Sequence, residues 1–226
     1  MHKLDRSAVD TPECLAEHDC RTQKWDDLQG CCKNQIRGAL SRFQGRPVPA
    51  DCTEYSVRCA YCEDIIRSHG HIEHFRRKGS HHYPDLTFEW GNLFMVCDSK
   101  GYCGHYKDRP QSSAYNPDQL IKPDECDPEH YLYFHSSGQV RAREGLSVED
   151  REVATETIRV FGLNESSLPG ARRKALEAYK QRFRDDLEVL SSWSKGDRLK
   201  YLQSEVEYTR WDPYATTIKH FLEKTN

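Results

Sequence analysis

Apolar positions recur at steps of three and four from Trp25 through Leu28, Cys32, Ile36 and Leu40 to Phe43, the spacing that keeps side chains on one face of a helix. Gly45 closes this helix, and residues 1 to 23 before it carry no clear periodicity. From about 47 to 135 the long apolar faces disappear, and short β-like pieces alternate with Cys, His, Gly, Pro and aromatic residues. Tyr131-Leu-Tyr-Phe-His135 and Gln139-Val-Arg141, separated by Ser-Ser-Gly138, predict a hairpin turning at Gly138. From Leu146 the helical period returns. Ser147, followed three residues on by Asp150, predicts a capped helix start, and Gly162 a stop. Leu176, Tyr179, Phe183, Leu187 and Leu190 form the stripe of a second helix, and Leu199, Leu202 and Val206 mark a third. The last helix is expected to begin with Asp212 as N-cap and Pro213 in its first turn, burying Ile218, Phe221 and Leu222. The expected fold class is α+β: an N-terminal helical segment over 1–46, a compact metal-braced module over 47–143, and a helical region over 144–226.

Composition narrows the reading. A chain of 226 residues supports one good core or two small ones, with 12 Tyr, 8 Phe and 4 Trp supplying large apolar surfaces. No apolar run approaches the roughly 18 residues that span a bilayer, and the N-terminus lacks the apolar centre of a secretory signal, so a cytoplasmic protein without a membrane is expected. A net charge of -3 argues against a protein that coats nucleic acid nonspecifically, while leaving room for a local basic site. Ten cysteines in a reducing compartment point to metal ligation rather than to disulfides.

Cys59-Ala-Tyr-Cys62 and, 34 residues later, Cys97-Asp-Ser-Lys-Gly-Tyr-Cys103 are two knuckle-like pairs that suit one tetrahedral four-thiolate Zn²⁺ site. Such a structural zinc contributes folding free energy to a segment too poor in apolar surface to hold itself together. Four separate buried thiols are the alternative. Cys14, His18, Cys20, Cys31 and Cys32 match no regular knuckle, with Cys32 on the apolar face of the first helix, and Cys52 and Cys126 stay unassigned.

Between and beside the pairs lie His71-Ile-Glu73-His74-Phe75, Gly91-Asn92-Leu93 and Gly104-His105-Tyr106-Lys107. A carboxylate next to a histidine, an Asn-Leu about twenty residues on and a His beside the last zinc cysteine resemble the ββα-metal motif of HNH nucleases. The resemblance implies Glu73 and His105 as ligands of a catalytic divalent ion, His74 as general base and Asn92 as the brace of the loop. The side chains suit phosphodiester hydrolysis independently. An imidazole titrating near neutrality takes the proton of an attacking water, and a Mg²⁺- or Mn²⁺-like cation stabilises the charge that builds on phosphate oxygens. Two protein ligands leave positions for water and phosphate, and imidazole also tolerates Ni²⁺. Arg76, Arg77 and Lys78 follow the base with His81 and His82 close behind, and Lys107 follows His105; they are candidates for substrate phosphates, a solvated basic loop being the alternative. His71 alternates with Glu73 and is read as an ordinary strand residue, with a ligand role as the alternative.

The wider layout is similar to the PtuB family of HNH effectors in Septu and retron-associated antiphage systems. The matching features are the opening Met-His-Lys-Leu, Trp25-Asp-Asp-Leu28, Cys59-Ala-Tyr-Cys62-Glu63, His71-Ile-Glu-His-Phe75, Tyr83-Pro-Asp-Leu86, Cys103-Gly-His105 and Phe161-Gly-Leu-Asn164, over about residues 1 to 180. Relatives commonly carry Pro at the position of Arg77. The resemblance implies a toxic endonuclease acting on DNA or on structured RNA such as tRNA. It also implies a PtuA-like partner ATPase and, in retron versions, a reverse transcriptase with its multicopy single-stranded DNA. The sequence contains no Gly-x-x-x-x-Gly-Lys-Ser/Thr loop, so nucleotide sensing falls to another chain. The C-terminal stripe of helices offers a docking surface or, alternatively, the core of the cap itself. Two other readings compete: a noncatalytic zinc module that binds nucleic acid or protein, and a free-standing homing or restriction-type endonuclease without partners.

Overall fold

The computed structural model describes residues 1–48, 55–67, 70–165 and 167–225; Cys52 lies outside them. The first long helix, α1 (Gly30–Gln44), buries Cys32, Ile36, Ala39, Leu40 and Phe43 on one face. It starts five residues later than the apolar spacing predicts. Trp25–Asp27 instead form a separate 3-10 turn, in which Asp27 accepts a hydrogen bond from the Lys24 N–H at 2.7 Å. Leu28 and Gln29 are extended, so Trp25 is released from the helix to pack elsewhere. Cys14 and Cys32 are joined by a disulfide, which corrects the expectation of unpaired thiols. A turn over Glu13–Glu17 and the start of α1 bring their Cα atoms to 5.7 Å, within bridging range.

Strands β1 (Gly45–Pro47), β2 (Tyr55–Arg58) and β3 (Ile65–Ile66) form an antiparallel sheet in that order. A second sheet pairs β4 (Gly70–His74) with β5 (Leu93–Cys97), placing His71 opposite Val96, Glu73 opposite Phe94 and His74 opposite Leu93. Gln44, at the end of α1, joins the two sheets. Its buried amide donates to the carbonyls of Arg58 at 3.1 Å and Met95 at 2.8 Å and accepts from the Met95 N–H at 2.7 Å. A buried amide satisfied on both ends holds its neighbours in one register, because any slip leaves polar groups dry. The short helix α2 (Cys103–Lys107) follows β5.

Helix α3 (Pro128–Tyr131) leads into the hairpin of β6 (Leu132–Phe134) and β7 (Val140–Ala142). Gly138 turns it with φ +88°, and a Cβ there would meet the Pro169 carbonyl oxygen at 1.9 Å. Helix α4 (Val148–Val160) is capped by the Ser147 hydroxyl, which accepts from the Asp150 N–H, and the chain leaves it through Gly162 at φ +58°.

The stripe expected as one helix is split. α5 (Leu168–Arg182) ends at Phe183, whose φ of -113° and ψ of 24° break the ladder before α6 (Arg184–Val189). Its members still share one apolar cluster with Leu202, Ile218 and Leu222 from α7 (Lys195–Thr209) and α8 (Ala215–Lys224). Helix α8 begins two residues later than expected, with Tyr214 rather than Asp212 at its cap. Tyr214 is left-handed, its N–H donates to the Glu63 carbonyl, and the Glu63 carboxylate caps the first turn by accepting from the Thr216 N–H at 3.0 Å and hydroxyl at 2.7 Å. Among the described residues, no helix is long and apolar enough to cross a membrane.

Candidate active site

Four sulfurs meet where the β2–β3 turn, the end of β5 and the start of α2 converge. The Sγ atoms of Cys59 and Cys103 are 3.7 Å apart, those of Cys62 and Cys97 3.8 Å, and all four lie within 4.8 Å of one another. A tetrahedral ion with bonds of about 2.3 Å to four thiolates has sulfur–sulfur edges of about 3.8 Å, so the set fits zinc. Cys103 takes a left-handed backbone, φ 63°, with its N–H on the Phe161 carbonyl at 2.8 Å. This strained corner aims the sulfur inward and starts α2 at a defined point.

Beside that corner a cleft of about 470 Å³ is lined by His71, Glu73, His74, Arg77, Lys78, His82, His105, Asp108 and Arg109, among others. His71 and Glu73, two residues apart on β4, share one face of the strand. Glu73 is buried, with Oε1 2.9 Å from Lys107 Nζ and Oε2 3.3 Å from His71 Nε2. Burial alone would raise its carboxyl, but the Lys107 ammonium and then His71 outweigh it and hold it at about 2. Gly104 lies against this carboxylate: a Cβ there would stand 2.6 Å from Oε2.

His74 ends β4 and is nearly buried, its ring edge packed on Trp25 at a centroid distance of 4.5 Å. Nε2 lies 3.0 Å from the Thr87 carbonyl, which can only accept; Nε2 therefore carries the hydrogen, and Nδ1 keeps the lone pair. Burial, helped by the nearby Lys78 charge, lowers the His74 imidazole to about 4, so it is neutral at pH 7. Asn92 spans the loop behind it. Its Oδ1 accepts from the Arg76 N–H at 2.8 Å, and its Nδ2 donates to the carbonyls of Arg76 and Leu86, both at 3.0 Å.

His105, on the first turn of α2, stacks on His71 at a centroid distance of 4.1 Å. Among the described residues no hydrogen bond or ion pair joins it to Glu73, while the His71 ring touches both. Asp98, the residue after β5, completes the row with Oδ1 2.6 Å from His105 Nε2 and 3.6 Å from His71 Nδ1. Asp98 carried no signal of its own in the sequence beyond its place next to Cys97.

The basic residues divide. Lys107 turns inward rather than toward a substrate: its ammonium is fully buried and bound to Glu73, to Asp108 at 2.8 Å and to the His74 carbonyl at 3.1 Å. A cation so enclosed is not free to meet a phosphate. Arg76 pairs with Asp118 at 2.6 Å, and Arg77 with Asp108 at 2.8 Å and the Tyr115 ring face. Lys78 is exposed on the cleft wall, and Arg109, which sequence reasoning missed, lies over the Tyr106 ring at 3.7 Å.

No family model matches the chain. It is similar to an Escherichia coli protein described as "Retron Ec83 putative HNH endonuclease", with 26% identity over 214 residues, 76% of this chain and 80% of the relative. That likeness, on a mixed helix-and-strand fold with a four-cysteine cluster fit for zinc, supports a nuclease of HNH type in a retron context.

Proposed function

We propose that this protein is a metal-dependent HNH endonuclease that hydrolyses phosphodiester bonds of DNA or structured RNA as the toxic effector of a retron-associated antiphage system of the Septu type. The observation that carries the reading is the single cleft onto which Glu73, His74 and His105 open beside four clustered thiols. A divalent cation such as Mg²⁺ or Mn²⁺, held at His105 with Glu73 acting directly or through His71, would supply Lewis-acid stabilisation of phosphate charge.

The chain's own residues do the rest. His74 takes the proton of the attacking water at Nδ1, while its Nε2–H is held by the Thr87 carbonyl so that the ring cannot turn away. Asn92 fixes the backbone on both sides of this histidine's loop. Lys78 and Arg109 are free to meet phosphates on the cleft wall, and Arg76 and Arg77 can exchange their aspartate partners for phosphate at little cost, since both pairs are partly exposed. A PtuA-like ATPase, a reverse transcriptase and its single-stranded DNA are the partners this role calls for.

Cleavage of total cellular nucleic acid by the purified complex with Mg²⁺ or Mn²⁺ tests the proposal. His74→Ala is expected to lower the rate by about 10²–10⁴-fold, the usual worth of a positioned general base. Unchanged cleavage or unchanged cellular toxicity in that variant would refute it.

A further inference from the structure

Asp98 lies beside the cleft, against two of its lining histidines, His71 and His105, and the nuclease reading gives it no part. It follows Cys97 directly, so the thiol cluster fixes its backbone, and its half-exposed carboxylate reaches back to two histidines. Asp98 Oδ1 lies 2.6 Å from His105 Nε2 and 3.6 Å from His71 Nδ1, and one donor atom from each of the three residues lies within 4.8 Å of the others. Donors bound to one ion at about 2.1 Å stand about 3 Å apart when adjacent and about 4.2 Å when opposite. Once the ion displaces the proton that His105 Nε2 now donates to Asp98 Oδ1, small side-chain rotations bring these three atoms to a common ion.

The tautomer of His71 is set from its other side. Nε2 faces Glu73 Oε2 at 3.3 Å, and the Glu73 carboxylate is kept charged by Lys107 at 2.9 Å. A carboxylate only accepts, so Nε2 carries the hydrogen and Nδ1 presents a lone pair toward Asp98. Carboxylate, histidine and metal in line is the arrangement that orients a ligating imidazole and raises its basicity. Glu73 itself is poorly placed to ligate. Its Oε1 is held by the buried Lys107 ammonium and its Oε2 faces the His71 ring, so both oxygens are already engaged.

We propose that His71 Nδ1, Asp98 Oδ1 and His105 Nε2 are the protein ligands of the divalent cation in this cleft, and that Glu73 is a positioning residue acting through His71. Two imidazoles and one carboxylate favour Mn²⁺, Ni²⁺ or Zn²⁺ over Mg²⁺, and open positions remain for water and phosphate oxygen. The inference rests on the reading of the cleft as the centre of a metal-dependent nuclease.

The test uses the full chain with its cysteine site zinc-loaded, and Mn²⁺ as probe. Paramagnetic resonance follows binding, and echo modulation of the bound ion counts ligating imidazole nitrogens. The expected result is one site with two imidazoles in the wild type, one imidazole in His71→Ala, and Mn²⁺ binding at least about tenfold weaker in Asp98→Ala. Glu73→Gln retains both nitrogens, since its amide oxygen still accepts from His71. Asp98→Asn repeats the measurement if Asp98→Ala loses its zinc or its circular dichroism. Wild type without Mn²⁺ binding, or bound Mn²⁺ without imidazole, overturns the ligand set, as does loss of binding in Glu73→Gln beside wild-type affinity in Asp98→Ala. Cleavage in the same samples separates the two ideas. Mn²⁺ held by the three residues without any nicking of nucleic acid leaves the ligand set standing and removes the nuclease; wild-type cleavage and Mn²⁺ affinity in Asp98→Ala do the reverse.

Discussion

At the scale of single residues, the cleft depends on groups whose neighbours leave them little freedom. Gly104 is one: the absence of a side chain lets α2 close on the Glu73 carboxylate, and the Oε2 a Cβ would meet at 2.6 Å belongs to a carboxylate whose other oxygen is anchored by Lys107, so it cannot swing aside. Gly104→Ala is therefore expected to destabilise the protein by about 1–3 kcal/mol, as overpacking of a filled site does, and to lower cleavage at least tenfold. Thermal denaturation and initial rates measure both. Glu129 is another. Burial would raise its carboxyl, but hydrogen bonds from His220 and from Lys219, at 2.7 Å, outweigh that and hold it at about 2. A carboxyl lowered on folding stabilises the native state above its unfolded value near 4.5, and the contribution fades as pH falls through the folded value. Glu129→Gln is expected to cost about 1–3 kcal/mol at pH 7, with the gap to wild type narrowing below about pH 4.5 in urea titrations.

At the scale of elements, local chemistry was legible wherever it depends on near neighbours. The Ser147 cap, the Gly138 turn and the paired cysteines all act through residues a few positions away, and each appears at its expected place. Periodicity misled where a neighbour in space competed with it. Trp25 continues the apolar spacing of α1, yet it sits in its own turn against His74, and Phe183 continues the stripe of α5 while breaking its ladder. The strands β2, β3, β4 and β5 are each only two to five residues long, so the thiol cluster between them is expected to carry much of their stability. Cys97→Ser should abolish the roughly one zinc per chain and expose the β4–β5 segment to protease, as metal analysis with limited proteolysis reads out. Zinc retained in that variant would remove the four-thiolate site.

At the scale of the whole molecule, the last helix is bound into the first half of the chain. Glu63, one residue past the knuckle cysteine, is buried among the Met1 amino group, Arg58 and the first turn of α8, and His220 of α8 accepts from the Phe134 N–H at 2.9 Å. Burial would raise the Glu63 carboxyl, but the Met1 amine, His2 and Arg58 keep it well below its usual range. Removing residues from 195 onward strips this charge of its cap and leaves the Phe134 N–H without its partner. Such a chain is expected to unfold at markedly lower urea concentration, and Thr216→Val alone to cost about 1–2 kcal/mol. A truncated chain as stable as the full one would mean that α8 is only an appended dock. The residue types, their spacing along the chain, the caps and the turns were determined by the sequence itself, because each acts over a few residues. Which distant side chains meet was decided only by the tertiary structure: Asp98 beside two histidines, Lys107 turned inward on Glu73, Glu63 capping α8. Those pairings join parts of the chain that no local period or propensity connects, and they exist because only the folded core brings these charged groups within reach of their partners.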